Sequence, residues 1–179
     1  MKRLLSIAFL NFMLFILSCD AQEKNDVTII KKSANLLIDK NSEIEVLGDS
    51  FIVAEGPLWD SDNNQLIFSD VRQNKIFVWN ENNGINEYIL PSGSTGYAPS
   101  FKEGGIGANG LAFDRNGNIT LCQHGDRRIA SISNSKTIKP KFNTIIDNYE
   151  GKRFNSPNDL SISKDGDIYF TDPPYGFFL

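Results

Sequence analysis

Three short segments of this 179-residue chain open on a side chain that offers a hard oxygen: Glu55 in "EGPLW", Asn109 in "NGLAF" and Asn158 in "NDLSI". One carboxylate and two amide carbonyls, brought together, make an oxygen-donor site suited to Ca2+ or Mg2+. His124 is the single histidine, which excludes a multi-histidine zinc or copper site within the chain. The same residue types also do plainer work, because Asn and Glu at strand starts and turns commonly satisfy backbone groups. The elements that carry them decide between the two readings.

Those elements repeat. "EGPLWDSDNNQLIFSD" from Glu55, "NGLAFDRNGNITLCQ" from Asn109 and "NDLSISKDGDIYFTD" from Asn158 share one order. A polar residue leads a short apolar strand, a turn of Asp, Asn or Gly follows, and a second strand closes the unit. The repeats begin 54 and then 49 residues apart, and the first turn is one residue longer than the others. Leu66–Ser69, Ile119–Cys122 and Ile168–Thr171 read as the second strands, with further strands expected at Lys75–Trp79 and Arg128–Ile132. Turn chemistry recurring in phase about every 50 residues predicts an all-β fold, a propeller of four-stranded blades. A β-sandwich also spaces its strands regularly, but its turns need not recur in phase. No stretch after the N-terminal segment has sustained helical periodicity.

The innermost strands of a propeller line a central channel, so Glu55, Asn109 and Asn158 are expected at one mouth of it. Asp70, Gln123 and Asp172 are equivalent at the far end of the following strand and read as strand-end hydrogen-bonding residues. Other motifs fail on context. "GIGANG", Gly105 to Gly110, matches a dinucleotide-binding pattern, but strands rather than a helix follow it. "DSDNN" at Asp60 starts like a calcium-binding hand, yet lacks the Gly and Glu that complete one, and reads as a hairpin turn. There is no G-x-S-x-G elbow to supply a serine nucleophile.

A hydrophobic content of 40% with 22% charged residues fits a globular protein, not a disordered one. A net charge of −4 without a basic block argues against nucleic acid as a partner. At the N-terminus, Lys2 and Arg3 precede an apolar run from Leu4 to Leu17, too short to span a bilayer comfortably and typical of an export signal. It ends at "ILSC", which resembles a bacterial lipobox with Cys19 as the lipid acceptor; cleavage after Ala21 and an uncleaved anchor are the alternatives. Residues 1–19 are therefore expected to be a lipoprotein-type signal, 20–42 a polar tether and 43–179 the propeller. The protein is expected in a bacterial cell envelope, held to the membrane only by its lipid. With Cys19 lipidated, Cys122 has no disulfide partner, and the core alone must hold the fold.

"EGPLW", "NGLAFDRNGNITLCQHGDRRI" from Asn109 and "RFNSPNDLSISKDGDIYFTDPPYG" from Arg153 resemble the gluconolactonase and regucalcin (senescence-marker protein) family, over roughly Glu45 to the C-terminus. The resemblance implies a six-bladed propeller with one divalent metal in its channel, Ca2+ first and Mg2+, Mn2+ or Zn2+ as alternatives, and hydrolysis of a small sugar lactone. Phosphotriesterase relatives such as diisopropylfluorophosphatase share that site. Position by position, Glu55 matches the family's first metal ligand, and Asn158, in "SPND", an Asn that contacts metal or substrate. Asn109 and His124 match positions that shape the substrate pocket, and Arg153 and Asn155 match a loop near the substrate. The family's further Asn ligand and its general-base Asp would fall beyond Leu179. Six blades at this period need roughly 300 residues, so about three blades, the N-terminal half of the ring, are expected here. The other reading is a non-catalytic, envelope-tethered propeller that binds a carbohydrate or a protein.

Overall fold

The computed structural model describes residues 27–39, 41–99, 106–133 and 139–177. The signal segment with Cys19, the tether residues 20–26 and Lys40, and Gly105 of "GIGANG" lie outside the described residues. The chain divides into two compact units, Met1–Glu45 and Val46–Leu179. In the first, a short 3-10 helix spans Lys32–Leu36 and exposes Leu36. That helix falls where the sequence reads as a weakly ordered tether.

The second unit is built from antiparallel sheets. β1 (Ala54–Asp60), β2 (Gln65–Asp70), β3 (Lys75–Asn80) and β4 (Gly84–Ile89) pair in chain order as one four-stranded meander. β5 (Ala108–Phe113), β6 (Ile119–Gln123), β7 (Arg128–Ile132) and β8 (Asn143–Ile146) repeat it. A two-residue hairpin follows, β9 (Asn148–Tyr149) with β10 (Lys152–Arg153). Its loop, Glu150 and Gly151, has φ of 50° and 76°, the left-handed pair that a tight hairpin turn requires. β11 (Leu160–Ile162) and β12 (Ile168–Phe170) then pair as the first two strands of a third repeat, and a 3-10 turn spans Pro174–Phe177. Two complete blades and the inner pair of a third are thus present, and no described residue is in an α-helix.

Each turn inside a repeat is set by its first polar side chain. Asp60 accepts hydrogen bonds from the Asn63 side chain (2.8 Å) and the Gln65 side chain (2.9 Å). Asp114 accepts them from the Asn116 and Asn118 amides at 2.8 Å each, and the Ser163 hydroxyl from the Asp165 and Asp167 amides at 3.1 Å each. The "DSDNN" segment is therefore a turn, as its incomplete motif predicts. Alternation then sends one face of each strand inward. Ile67, Ile76, Tyr88 and Ile89 of the first blade pack on Ala108, Leu111, Ile119, Leu121, Ala130 and Ile132 of the second, with Leu58 and Phe113 alongside. Burying each large aliphatic here stabilises by roughly 1.5–3 kcal/mol, and this apolar seam holds the blades face to face. On the other face of the first blade Phe51 meets Phe68 and Phe77 edge-on, with centroids 5.0 and 5.2 Å away.

Candidate metal and substrate site

The inner strands do not start as regular strands. In β1, Glu55 pairs with Ser69 but Leu58 pairs with Ile67, so one extra residue is inserted between them. β5 has the same insertion between Ala108 and Leu111. In the third repeat the Asn158 amide bonds the Thr171 carbonyl (2.9 Å) while Leu160 already pairs with Phe170, which is the same bulge again. A bulge releases a side chain from strict alternation and re-aims it. Here the insertion falls immediately after Glu55, and in the next two repeats it takes in Asn109 and Asn158.

The repeats also touch closely at these places, through the Ser69 side chain of β2 and through the backbones of the inner strands. The Ser69 hydroxyl donates to the Asn109 carbonyl (2.8 Å), and the Gly110 amide donates to the Asn158 carbonyl (2.8 Å). No side chain fits between them. A Cβ on Gly56, whose φ is +55°, would lie 2.2 Å from the Asn109 carbonyl oxygen, and one on Gly110 would lie 2.8 Å from the Asp159 Cα. The chain thus steps from the first donor position to the second and third through direct backbone contact. Glu55 is exposed, Asn158 half-buried and Asn109 nearly buried.

The remaining residues singled out from sequence stand around this row. His124 is fully buried in the β6–β7 turn, where the first blade has the equally buried Val71. Its Nδ1 lies 3.1 Å from the Pro157 carbonyl, an acceptor only, so Nδ1 carries the proton. Its Nε2 has no partner among the described residues. Burial depresses the imidazole pKa below its ordinary 6.5, against the opposing pull of the Pro157 carbonyl and the Asp172 charge, which keeps the ring neutral at pH 7. His124 is thus tied to the residue before Asn158. The Asn155 amide group donates to the Asp172 backbone carbonyl (3.1 Å), and Arg153 donates to the Asp126 carbonyl.

Arg153 is drawn into a cluster that sequence reading misses. Its guanidinium lies 5.7 Å from the Tyr97 ring, over which Arg128 stacks at 3.7 Å, and the Tyr97 hydroxyl bonds Asp147. The cluster borders an open cleft of about 410 Å³. Tyr97 belongs to the long β4–β5 connection and has no counterpart in the repeat, so periodicity carries no signal for it. Ser92 and Ser94 of that connection are equally hidden, although they hold the backbone that leads to Asn109: the Ala108 amide donates to Ser92 Oγ (3.0 Å) and the Ile106 amide to Ser94 Oγ (2.7 Å).

Among the described residues no group of three or more His, Cys, Asp or Glu is close enough to hold a metal. One carboxylate and two amide oxygens nevertheless have the hardness that Ca2+ or Mg2+ requires, and as donor types they suit part of such an ion's ligand set.

Comparison with known proteins adds the relatives. The family described as "SMP-30/Gluconolactonase/LRE-like region" matches residues 53–177. A gluconolactonase of Zymomonas mobilis is 35% identical over 150 residues, 84% of this chain and 41% of its own length. A structure of a gluconolactonase from Xanthomonas campestris superposes with a TM-score of 0.60 at 30% identity, covering 73% of this chain and 38% of the other. The virginiamycin B lyase of Staphylococcus aureus, at 20% identity and a TM-score of 0.50, shares the fold alone. The chain thus spans about two-fifths of the length of the gluconolactonases it matches. From residue 53 to residue 177, through both complete blades and the bulged start of the third, the chain belongs to the SMP-30/gluconolactonase family.

Proposed function

We propose that this protein is a metal-dependent hydrolase of sugar lactones, with Glu55 and Asn158 among its metal ligands. The observation that carries this reading is the strand insertion that recurs just after Glu55 and at Asn109 and Asn158, on inner strands whose backbones meet at Gly56 and Asn109 and at Gly110 and Asn158. Membership of a family with gluconolactonase relatives supports it. A hard divalent cation bound there, with Ca2+ the best match to the donors, supplies Lewis acidity toward the lactone carbonyl and toward a water molecule.

This chain's own residues bind and orient. The Glu55 carboxylate brings the one full negative charge of the row, and the Asn158 side chain adds a neutral oxygen. Asn109, between them, offers both a donor and an acceptor to lactone hydroxyls. His124 keeps its Nδ1 proton on the Pro157 carbonyl, so it acts by fixing the residue beside Asn158 and not by moving that proton. Arg153 and Asn155 shape the rim from the loop that precedes Asn158. Hydrolysis of glucono-δ-lactone by the full-length protein, with Ca2+, Mg2+, Mn2+ or Zn2+ added after chelation, tests the reading. Metal-restored turnover is expected; turnover unchanged by chelation, or none with any ion, rejects it.

A further inference from the structure

The carboxylates of Asp70 and Asp172 stand at equivalent places, immediately after Ser69 in the first blade and Thr171 in the third repeat. Asp70 accepts hydrogen bonds from the amides of Ile52 (2.8 Å) and Val53 (3.3 Å). Asp172 accepts them from the amides of Asn155 and Ser156, both at 2.8 Å. Counted back from the donor residues Glu55 and Asn158, these are the same two amides in each repeat. The carboxylate therefore fastens the backbone that leads into the donor, and it does so twice in one geometry. Around Asp172 the fastening is reinforced, because Ser156 Oγ donates to the Pro173 carbonyl (2.5 Å) and accepts from the Gly176 amide (2.9 Å). The second blade has Gln123 at this place, and there the lead-in amides are held separately, Ile106 by Ser94 Oγ, Gly107 by the Val71 carbonyl and Ala108 by Ser92 Oγ.

We propose that Asp70 and Asp172 are positioning residues for the oxygen donors Glu55 and Asn158, acting through the lead-in backbone. This rests on the lactonase reading of the site. Neither carboxylate needs to touch metal or substrate: each fixes the same two lead-in amides, Asp70 holding those of Arg72 and Gln73 as well, and so fixes where the donor residue two or three positions later begins. Outer partners of this kind tune metal affinity about as strongly as some ligands do.

Asp114 is the control. Its carboxylate also gathers two amides and one side-chain amide, but at the β5–β6 turn, the end of the blade away from the donors. In the full-length protein, Asp70→Asn and Asp172→Asn are each expected to weaken Ca2+ binding in calorimetry by about tenfold. They should also speed hydrogen exchange at Ile52 and Val53, or at Asn155 and Ser156. Asp114→Asn should lose comparable thermal stability and keep the wild-type Ca2+ affinity. If Asp172→Asn does not fold, Ser156→Ala removes the reinforcing half of the same clamp and should weaken Ca2+ in the same direction by a smaller factor. Wild-type Ca2+ affinity in the Asp70 and Asp172 variants, or an equal loss in Asp114→Asn, overturns the positioning role while leaving the lactonase reading intact. A wild-type protein that binds no Ca2+ and hydrolyses no lactone overturns both.

Discussion

Charge, not merely oxygen, separates Glu55 from Asn109 and Asn158, and hard cations lose affinity as ligand charge falls. Glu55→Gln keeps the shape and removes the charge; Glu81→Gln makes the same change in the exposed β3–β4 turn. Calorimetric titration of the full-length protein with Ca2+ should show the first variant weakened by about tenfold or more and the second unaltered. Asp70 gives a residue-scale prediction of a different kind. Burial alone would raise its carboxyl, but the Ile52 and Val53 amides and the Gln73 side chain and amide outweigh burial, so its pKa falls below the ordinary 3.8. A carboxyl depressed by folding stabilises fully above its ordinary value and loses that contribution as pH drops through its folded value. Asp70→Asn should therefore cost about 1–3 kcal/mol at neutral pH. In urea unfolding at successively lower pH, the gap to wild type should narrow on the acid side; a gap that widens there contradicts the assignment.

At the scale of the element, the feature that matters is the bulged start of each inner strand, and Gly56 is its most demanding residue. Gly56→Ala forces a left-handed conformation on a side-chain-bearing residue and drives a methyl against the Asn109 carbonyl. Strain and overpacking together should cost about 2–4 kcal/mol. Gly117→Ala, at a left-handed turn with nothing within 4 Å of the added carbon, isolates the conformational part and should cost about 1 kcal/mol. Urea midpoints of the two variants check the difference; equal losses would remove blade-to-blade contact as the cause. The second strands were legible in the sequence because Leu66–Ser69 and Ile119–Cys122 are short apolar runs between Asp- and Asn-rich turns. β4 and β8 were not singled out, since "GINEYI" and the wholly exposed "NTII" carry no apolar face strong enough to read. The bulges were invisible for a related reason: an inserted residue breaks the alternation from which a strand is read. Glu55, Asn109 and Asn158 could be aligned by repeat, but the burial of His124 behind Pro157 depends on a contact between repeats that no single segment encodes.

For the whole molecule, the two complete blades hold together without covalent staples. Cys122 is fully buried in β6, and burial, followed by the charges of Asp159 and Asp172, pushes its thiol pKa up. We propose Cys19, after the apolar N-terminal run, as the site of lipid attachment. Mass measurement of the protein isolated from membranes should find the mature chain beginning at Cys19 with lipid attached, whereas an unmodified start at Gln22 would reject the anchor. The paired fastenings by Asp70 and Asp172 carry one last consequence, which concerns time rather than shape. Each closes over a short reach of sequence, 18 residues from Ile52 to Asp70 and 17 from Asn155 to Asp172. Contacts so local form early and with little loop-closure entropy, whereas docking one blade on the next must wait for longer-range encounters. During synthesis, then, the backbone around Glu55 can be moulded before Asn158 has left the ribosome.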